Sequence, residues 1–127
     1  DTFHMNIEEK DQAAAIRLVG STLAHFHACG NDRGAPGADH IAWDAITAAL
    51  GETGYDGAVV IESFTPDNQT IARAAAIWRP LARSQDALAT DGLAFLRGRF
   101  AWCDILHLTI DRQRLGECGD PHRLRQP

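Results

Sequence analysis

Apolar residues in this chain fall into short blocks that switch between two spacings. From Leu23 to Ala28 and from Ala58 to Ile61 they run almost without interruption, as in strands buried on both faces of a parallel sheet. Each block runs into a turn-rich stretch: Cys29 to His40, punctuated by Gly30, Gly34, Pro36 and Gly37, and Ser63 to Asn68, which contains Pro66. Elsewhere the apolar residues recur at helical spacing. Ile7 to Val19 reads as a helix with Ile7, Ala14, Ala15, Leu18 and Val19 as a partial stripe, Glu8 and Glu9 in its first turn, and Gly20 as its stop. Ile41 to Thr53 reads as a second helix, with Trp43, Ile46, Ala49 and Leu50 inward and Gly54 closing it. A third spans Thr70 to Ala82 with Ile71, Ala74, Ala75 and Trp78 inward, and Pro80 is expected to kink or shorten it. Gln85 to Leu96 reads as the last helix, ending near Gly98. Asp1 to Asn6 reads as the frayed end of a strand and a loop. Phe100 to Ile110 fits either one more apolar strand or extraneous sequence, and the Arg/Gly/Pro-rich Arg112 to Pro127 is expected not to pack.

Strand, loop and helix alternate, which predicts βα units on a parallel sheet. Polar residues concentrate in the loops after strands while the loops after helices are short, the asymmetry expected of a (β/α) barrel. With 127 residues the chain has room for one modest domain. A net charge of −5 argues against a nucleic-acid partner, which calls for a basic patch. No apolar run approaches the roughly 18 residues of a membrane span and no signal peptide is visible, so a cytoplasmic location is expected. Cys29, Cys103 and Cys118 are odd in number and lack metal-type spacing, which fits a reducing compartment. Without a secretory signal the sequon Asn68-Gln-Thr70 carries no meaning. The chain opens at Asp1, already inside a motif, and reads as a fragment or a processed chain.

The candidate chemistry lies at the expected strand ends. Alternate residues of a strand share a face, so His25 and His27 are expected to point the same way. Asp1, His27 and Glu62, each read at the end of its own strand, form an O/N/O set suited to a hard or borderline divalent cation. Glu62 ends an apolar run, where a carboxylate must be paired, metal-bound or perturbed, because bare burial is costly. His25 reads as a structural histidine lying deeper than His27, with its hydrogen bond satisfied inside the barrel. Trp43 and Trp78 read as helix packing rather than ligand platforms.

Four separated stretches, in order, resemble one family. Asp1-Thr-Phe-His-Met-Asn-Ile-Glu-Glu9, His25-Phe-His27, Asn31-Asp-Arg-Gly34 and Val59-Val-Ile-Glu-Ser-Phe64 are similar to the D-tagatose 3-epimerase and D-psicose (allulose) 3-epimerase group of the sugar phosphate isomerase/epimerase TIM barrels. Trp78-Arg-Pro80 and Phe95-Leu-Arg-Gly98 resemble that group's C-terminal helices. The resemblance covers residues 1–98, which would form a partial, xylose isomerase-like barrel domain, and leaves 99–127 as an unmatched tail. It implies an α/β fold: the C-terminal portion of a (β/α)8 barrel, from the end of strand 6 through strand 8 with their helices, the barrel incomplete.

The same resemblance implies an isomerase that epimerises C3 of free ketohexoses through an enediolate, with D-tagatose/D-sorbose and D-fructose/D-psicose both open as substrates. It implies a divalent cation, Mn²⁺ first and Co²⁺ or Mg²⁺ next, held by Asp1, His27, Glu62 and a glutamate that would precede residue 1. Glu62 would be one of the two carboxylates that exchange the C3 proton, and His4 and Arg33 would hold the substrate oxygens near C1 and C2. The resemblance also implies a homodimer or homotetramer for the parent enzyme. Cys29 stands where the family often carries a polar or acidic residue, which leaves the preferred ketose open. The alternatives are an inert truncated remnant, or another sugar isomerase of the superfamily such as a hydroxypyruvate isomerase or inosose dehydratase. Zinc-dependent abasic-site endonuclease barrels fit less well, because they need a basic DNA-facing surface. The isolated chain, lacking one ligand and one catalytic carboxylate, is expected to be inactive.

Overall fold

The two continuous apolar blocks become two strands. β1 (Phe26–Ala28) and β2 (Val59–Ile61) pair in parallel, with Phe26 opposite Val59, His27 opposite Val60 and Ala28 opposite Ile61. The computed structural model describes residues 1–100, so the strand expected from Phe100 onward and the tail expected from Arg112 lie, beyond Phe100 itself, outside the described residues. α1 (Thr2–Glu8) and α2 (Gln12–Val19) precede β1, α3 (Trp43–Glu52) joins it to β2, and α4 (Gln69–Ala74) and α5 (Gln85–Arg99) follow. Two parallel strands need a crossover, and α3 supplies it.

Alternation along the strands separates core from site. Phe26 and Ala28, with Val59 and Ile61 across from them, join a core with Ala13 and Ile16 of α2, Ile46, Ala49 and Leu50 of α3, Leu96 of α5 and Phe100. The intervening positions, His27 on β1 and Val60 on β2, belong to the opposite face, and Glu62 continues that second face one step past β2. α2 packs along α3, and Arg17 Nε donates to Glu52 Oε2 at 2.6 Å across the outer edge of that contact.

Several expectations are corrected. Asp1 to Asn6 is not extended: Asp1 is the N-cap of α1, its Oδ1 accepting the Phe3 N–H at 2.8 Å. A short carboxylate before a run with free amide groups favours the helix end over the strand. The single helix expected from Ile7 to Val19 is two helices, because Asp11 starts a new one by accepting the Ala14 N–H on its Oδ1 at 2.9 Å. The apolar stripe is consequently phased differently: Ala13 and Ile16 are buried, whereas Ile7, Leu18 and Val19 are exposed. α4 ends at Ala74, and Ala76 enters the left-handed region at φ 52°, so the helix stops well before Pro80. Trp78 therefore lies outside the helix and is 91% exposed rather than packed inward. Trp43 is buried as expected, edge-on to Phe95 of α5 at 5.5 Å.

The long loop after β1 is organised by Asp39. Its carboxylate accepts the Gly37 N–H on Oδ2, the Ile41 N–H on Oδ1 and the Trp43 indole N–H on both oxygens. Gly37 sits at φ 105°, and a Cβ there would come within 2.4 Å of the Phe95 ring. Gly37→Ala is thus expected to destabilise the fold by about 1–3 kcal/mol, through overpacking and an unfavourable φ. The urea midpoint of the variant, with m unchanged, checks it.

Candidate metal centre

Three potential ligands converge where the two strands end. One ligand atom each from Asp1, His27 and Glu62 lies within 4.8 Å of the others, and all three residues are half-buried. Each is placed by a different element. His27 is the middle residue of β1, Glu62 follows β2, and Asp1 caps α1. The Glu62 N–H donates to the Ala28 carbonyl at 3.2 Å, which carries the parallel ladder one residue further and sets Glu62 beside His27. His27 Nδ1 then lies 3.2 Å from Glu62 Oε2.

Arg33 enters the same space from the loop after β1. Its φ of 69° is in the left-handed region, a costly conformation for a residue with a side chain and one retained where surrounding structure imposes it. The imposing contacts are backbone ones: Arg33 N–H donates to the Gly30 carbonyl at 3.1 Å, and the Arg33 carbonyl accepts the Phe64 N–H at 3.0 Å. Its side chain is only 7% exposed. Nη1 donates to Asp1 Oδ2 at 2.8 Å and to Glu62 Oε2 at 3.0 Å, and Nη2 lies 2.9 Å from His4 Nε2. Phe3 lies under the guanidinium at 4.1 Å and Phe64 at 5.8 Å, apolar surfaces that suit a weakly hydrated planar cation. Arg33 Nε is buried without a hydrogen-bond partner among the described residues.

Two half-buried carboxylates share one guanidinium nitrogen, an arrangement that a divalent cation between them would stabilise. The donor set of two carboxylates and one imidazole matches a hard or borderline divalent ion. The residues present therefore fit a divalent metal.

The other sequence expectations fare unevenly. His4 reaches the site through Arg33, although its side chain is 65% exposed. His25 shares the face of His27, the two rings meeting edge-on at 4.8 Å, but it is exposed rather than deep. It precedes β1 instead of lying within it.

Two further residues at the centre were not among the expected site residues. Cys29 is buried, with Sγ 3.4 Å from Asp1 Oδ1 and 3.3 Å from Arg33 Nη1. Burial pushes its thiol above the ordinary value, and the neighbouring Arg33 guanidinium, which pulls the other way, does not reverse this. The thiol thus stays protonated and can donate to Asp1. Its position two residues after His27 was the available signal, since that spacing returns a side chain to the same face. Thr2 is fully buried between α1 and the end of β1.

Comparison with known proteins agrees with this geometry. Residues 1–97 match the xylose isomerase-like TIM barrel family model. A Synechocystis sp. protein named probable ketose 3-epimerase is 48% identical over 97 residues, covering 76% of this chain and 34% of that protein. D-psicose 3-epimerase of Agrobacterium fabrum is 40% identical over 102 residues, covering 76% and 35%. The crystal structure of D-psicose 3-epimerase with D-tagatose from Clostridium cellulolyticum H10 superposes with a TM-score of 0.70 at 38% identity, over 78% of this chain and 36% of that one. The chain thus spans about a third of the length of the relatives it matches. Among the described residues no helix is long and apolar enough to cross a membrane. Its two parallel strands and surrounding helices are a partial TIM-barrel fragment, and the chain belongs to the xylose isomerase-like TIM barrels, in the ketose 3-epimerase/D-psicose 3-epimerase group.

Proposed function

We propose that this chain is the C-terminal part of a metal-dependent ketose 3-epimerase, its two strands within residues 1–98 supplying strands 7 and 8 of the barrel. The observation that supports it most is the convergence of Asp1, His27 and Glu62 within 4.8 Å, beside Arg33. Asp1, His27 and Glu62 would hold the cation, Mn²⁺ in the first instance. When bound, a divalent ion polarises the ketose carbonyl and offsets the charge that develops as the neighbouring carbon loses its proton.

The residues themselves supply the rest. Glu62 sits at a strand end, half-buried, where a carboxylate can take the proton from C3 of a ketose lying over the site. Arg33 offers a fixed fork of donors for sugar oxygens near C1 and C2. His4, in contact with Arg33 and open to solvent on its other side, completes that grip. Phe3 and Phe64 flank the guanidinium and keep water from its faces.

Inverting C3 requires a second proton carrier on the opposite face of the carbon. Among the described residues the carboxylates of the centre are Glu62 and Asp1, and Asp1 is given to the proposed cation, the α1 cap and Arg33. The reaction is therefore assigned to a protein in which the remaining barrel units are present. A homodimer or homotetramer of that protein, acting on a free ketohexose, is the expected form.

Two outcomes check this reading. In a protein carrying the complete barrel and this segment, Glu62→Gln is expected to lower the epimerisation kcat by about 10²–10⁴-fold, the usual contribution of one acid–base group. Interconversion of D-fructose with D-psicose and of D-tagatose with D-sorbose, followed by chromatography with added Mn²⁺, measures it; parental rates in the variant would remove Glu62 from the chemistry. The 127-residue chain on its own is expected to interconvert neither pair under the same conditions, and ordinary turnover by it would show that the chain carries both proton carriers itself.

A further inference from the structure

Asp1 belongs to a helix, whereas His27 belongs to a strand, so something must hold the helix end against the strand end if the two are to serve one ion. Asp1 cannot do this alone. Its Oδ1 is occupied by the Phe3 N–H and the Cys29 thiol, and its Oδ2 faces Arg33. α1 contributes one fully buried residue to the junction, Thr2. The Thr2 hydroxyl donates to the Cys29 carbonyl at 2.7 Å and accepts the Cys29 N–H at 2.9 Å. Cys29 is the residue directly after β1, so this reciprocal pair binds the first turn of α1 to the backbone that leaves the strand. The Thr2 carbonyl also accepts from Gln12 Nε2 at 3.0 Å, which brings the start of α2 into the same junction.

The hydroxyl is not needed for the helix itself. Asp1 already caps α1, and Thr2 occupies the first helical position, where its side chain could equally face solvent. Instead it is used entirely on the strand end.

We infer that Thr2 is a positioning residue for the metal centre: its hydroxyl, bonded both ways to the Cys29 backbone, fixes Asp1 against His27. The inference rests on the proposed metal-dependent reading of Asp1, His27 and Glu62. Outer partners that orient metal ligands typically matter by about 10–100-fold in affinity. Removing the Thr2 hydroxyl leaves a buried N–H and a buried carbonyl of Cys29 unpaired, and the junction relaxes, carrying Asp1 away from the other ligands.

The test is Mn²⁺ binding to the 127-residue chain, read as loss of the free-ion EPR signal, with far-UV circular dichroism confirming that each variant is folded. Thr2→Val, similar in shape but without the hydroxyl, is expected to raise the Kd about 10–100-fold. Thr2→Ser restores both hydrogen bonds and is expected to bind within about threefold of the parent. Asp1→Asn, which weakens a proposed ligand directly, is expected to lose Mn²⁺ binding. If folded Thr2→Val binds like the parent while Asp1→Asn does not, the hydroxyl serves only the fold and the inference is overturned. If Asp1→Asn also binds like the parent, the metal-centre reading fails and the inference falls with it. Should Thr2→Val not fold, Thr2→Ala carries the same expectation and the same contradiction.

Discussion

Two carboxylates and one guanidinium share the end of the sheet, and the placement of the other site residues follows from how the fold bears that arrangement. Asp1 Oδ2 and Glu62 Oε2 both accept from Nη1 of Arg33, whose side chain is almost completely buried. Charges taken out of water are tolerated when each is paired and hydrogen-bonded. The cost is met by bringing three separate parts of the chain to one point: the cap of α1, the loop after β1 and the residue after β2. The parallel register of β1 and β2 sets Glu62 beside His27. The left-handed turn at Arg33, braced by Gly30 and by Phe64 of the following loop, brings the guanidinium to both acids. The loop is in turn held by Ser63, whose hydroxyl donates to the Gly34 carbonyl at 2.7 Å. The loop after β1 and the segment after β2 thus act as one unit.

The parts of this picture that follow from short-range chemistry were legible in the sequence. A continuous β-branched run ending in a carboxylate can hardly be anything but a buried strand reaching a polar site, and Val59–Ile61 followed by Glu62 is that. The apolar face of α3 was readable because Trp43, Ile46, Ala49 and Leu50 recur at one period and are all buried. What escaped was competition between two uses of the same residue type. Aspartate is both a metal ligand and a helix cap, and at Asp1 and Asp11 the capping role sets the local structure. Asp1 gives one oxygen to the helix and turns the other to Arg33, which a reading confined to strands misses. The packing of Trp78 was misjudged because helical spacing was extended past Ala76, where a left-handed residue ends the helix. The reciprocal bonds of Thr2 join positions 27 residues apart and leave no local trace in the sequence.

Membership of the ketose 3-epimerase group rests on similarity over about three-quarters of this chain and about a third of its relatives. The shared third holds the acids, the histidines and the arginine described here, so its local geometry can be judged independently of the remainder. That geometry has three of the features that the proposed cation-assisted proton transfer calls for. Oxygen and nitrogen donors converge, a carboxylate stands at a strand end, and a rigid donor fork adjoins it.

The central claim is that Asp1, His27 and Glu62 bind one divalent ion. Crystals of the protein grown with Mn²⁺, with data collected at the manganese absorption edge, test it most directly. A single anomalous peak in contact with a carboxylate oxygen of Asp1, a ring nitrogen of His27 and a carboxylate oxygen of Glu62 is the predicted result. An Arg33 guanidinium still bridging the two carboxylates, with no anomalous peak between them at saturating Mn²⁺, would contradict it.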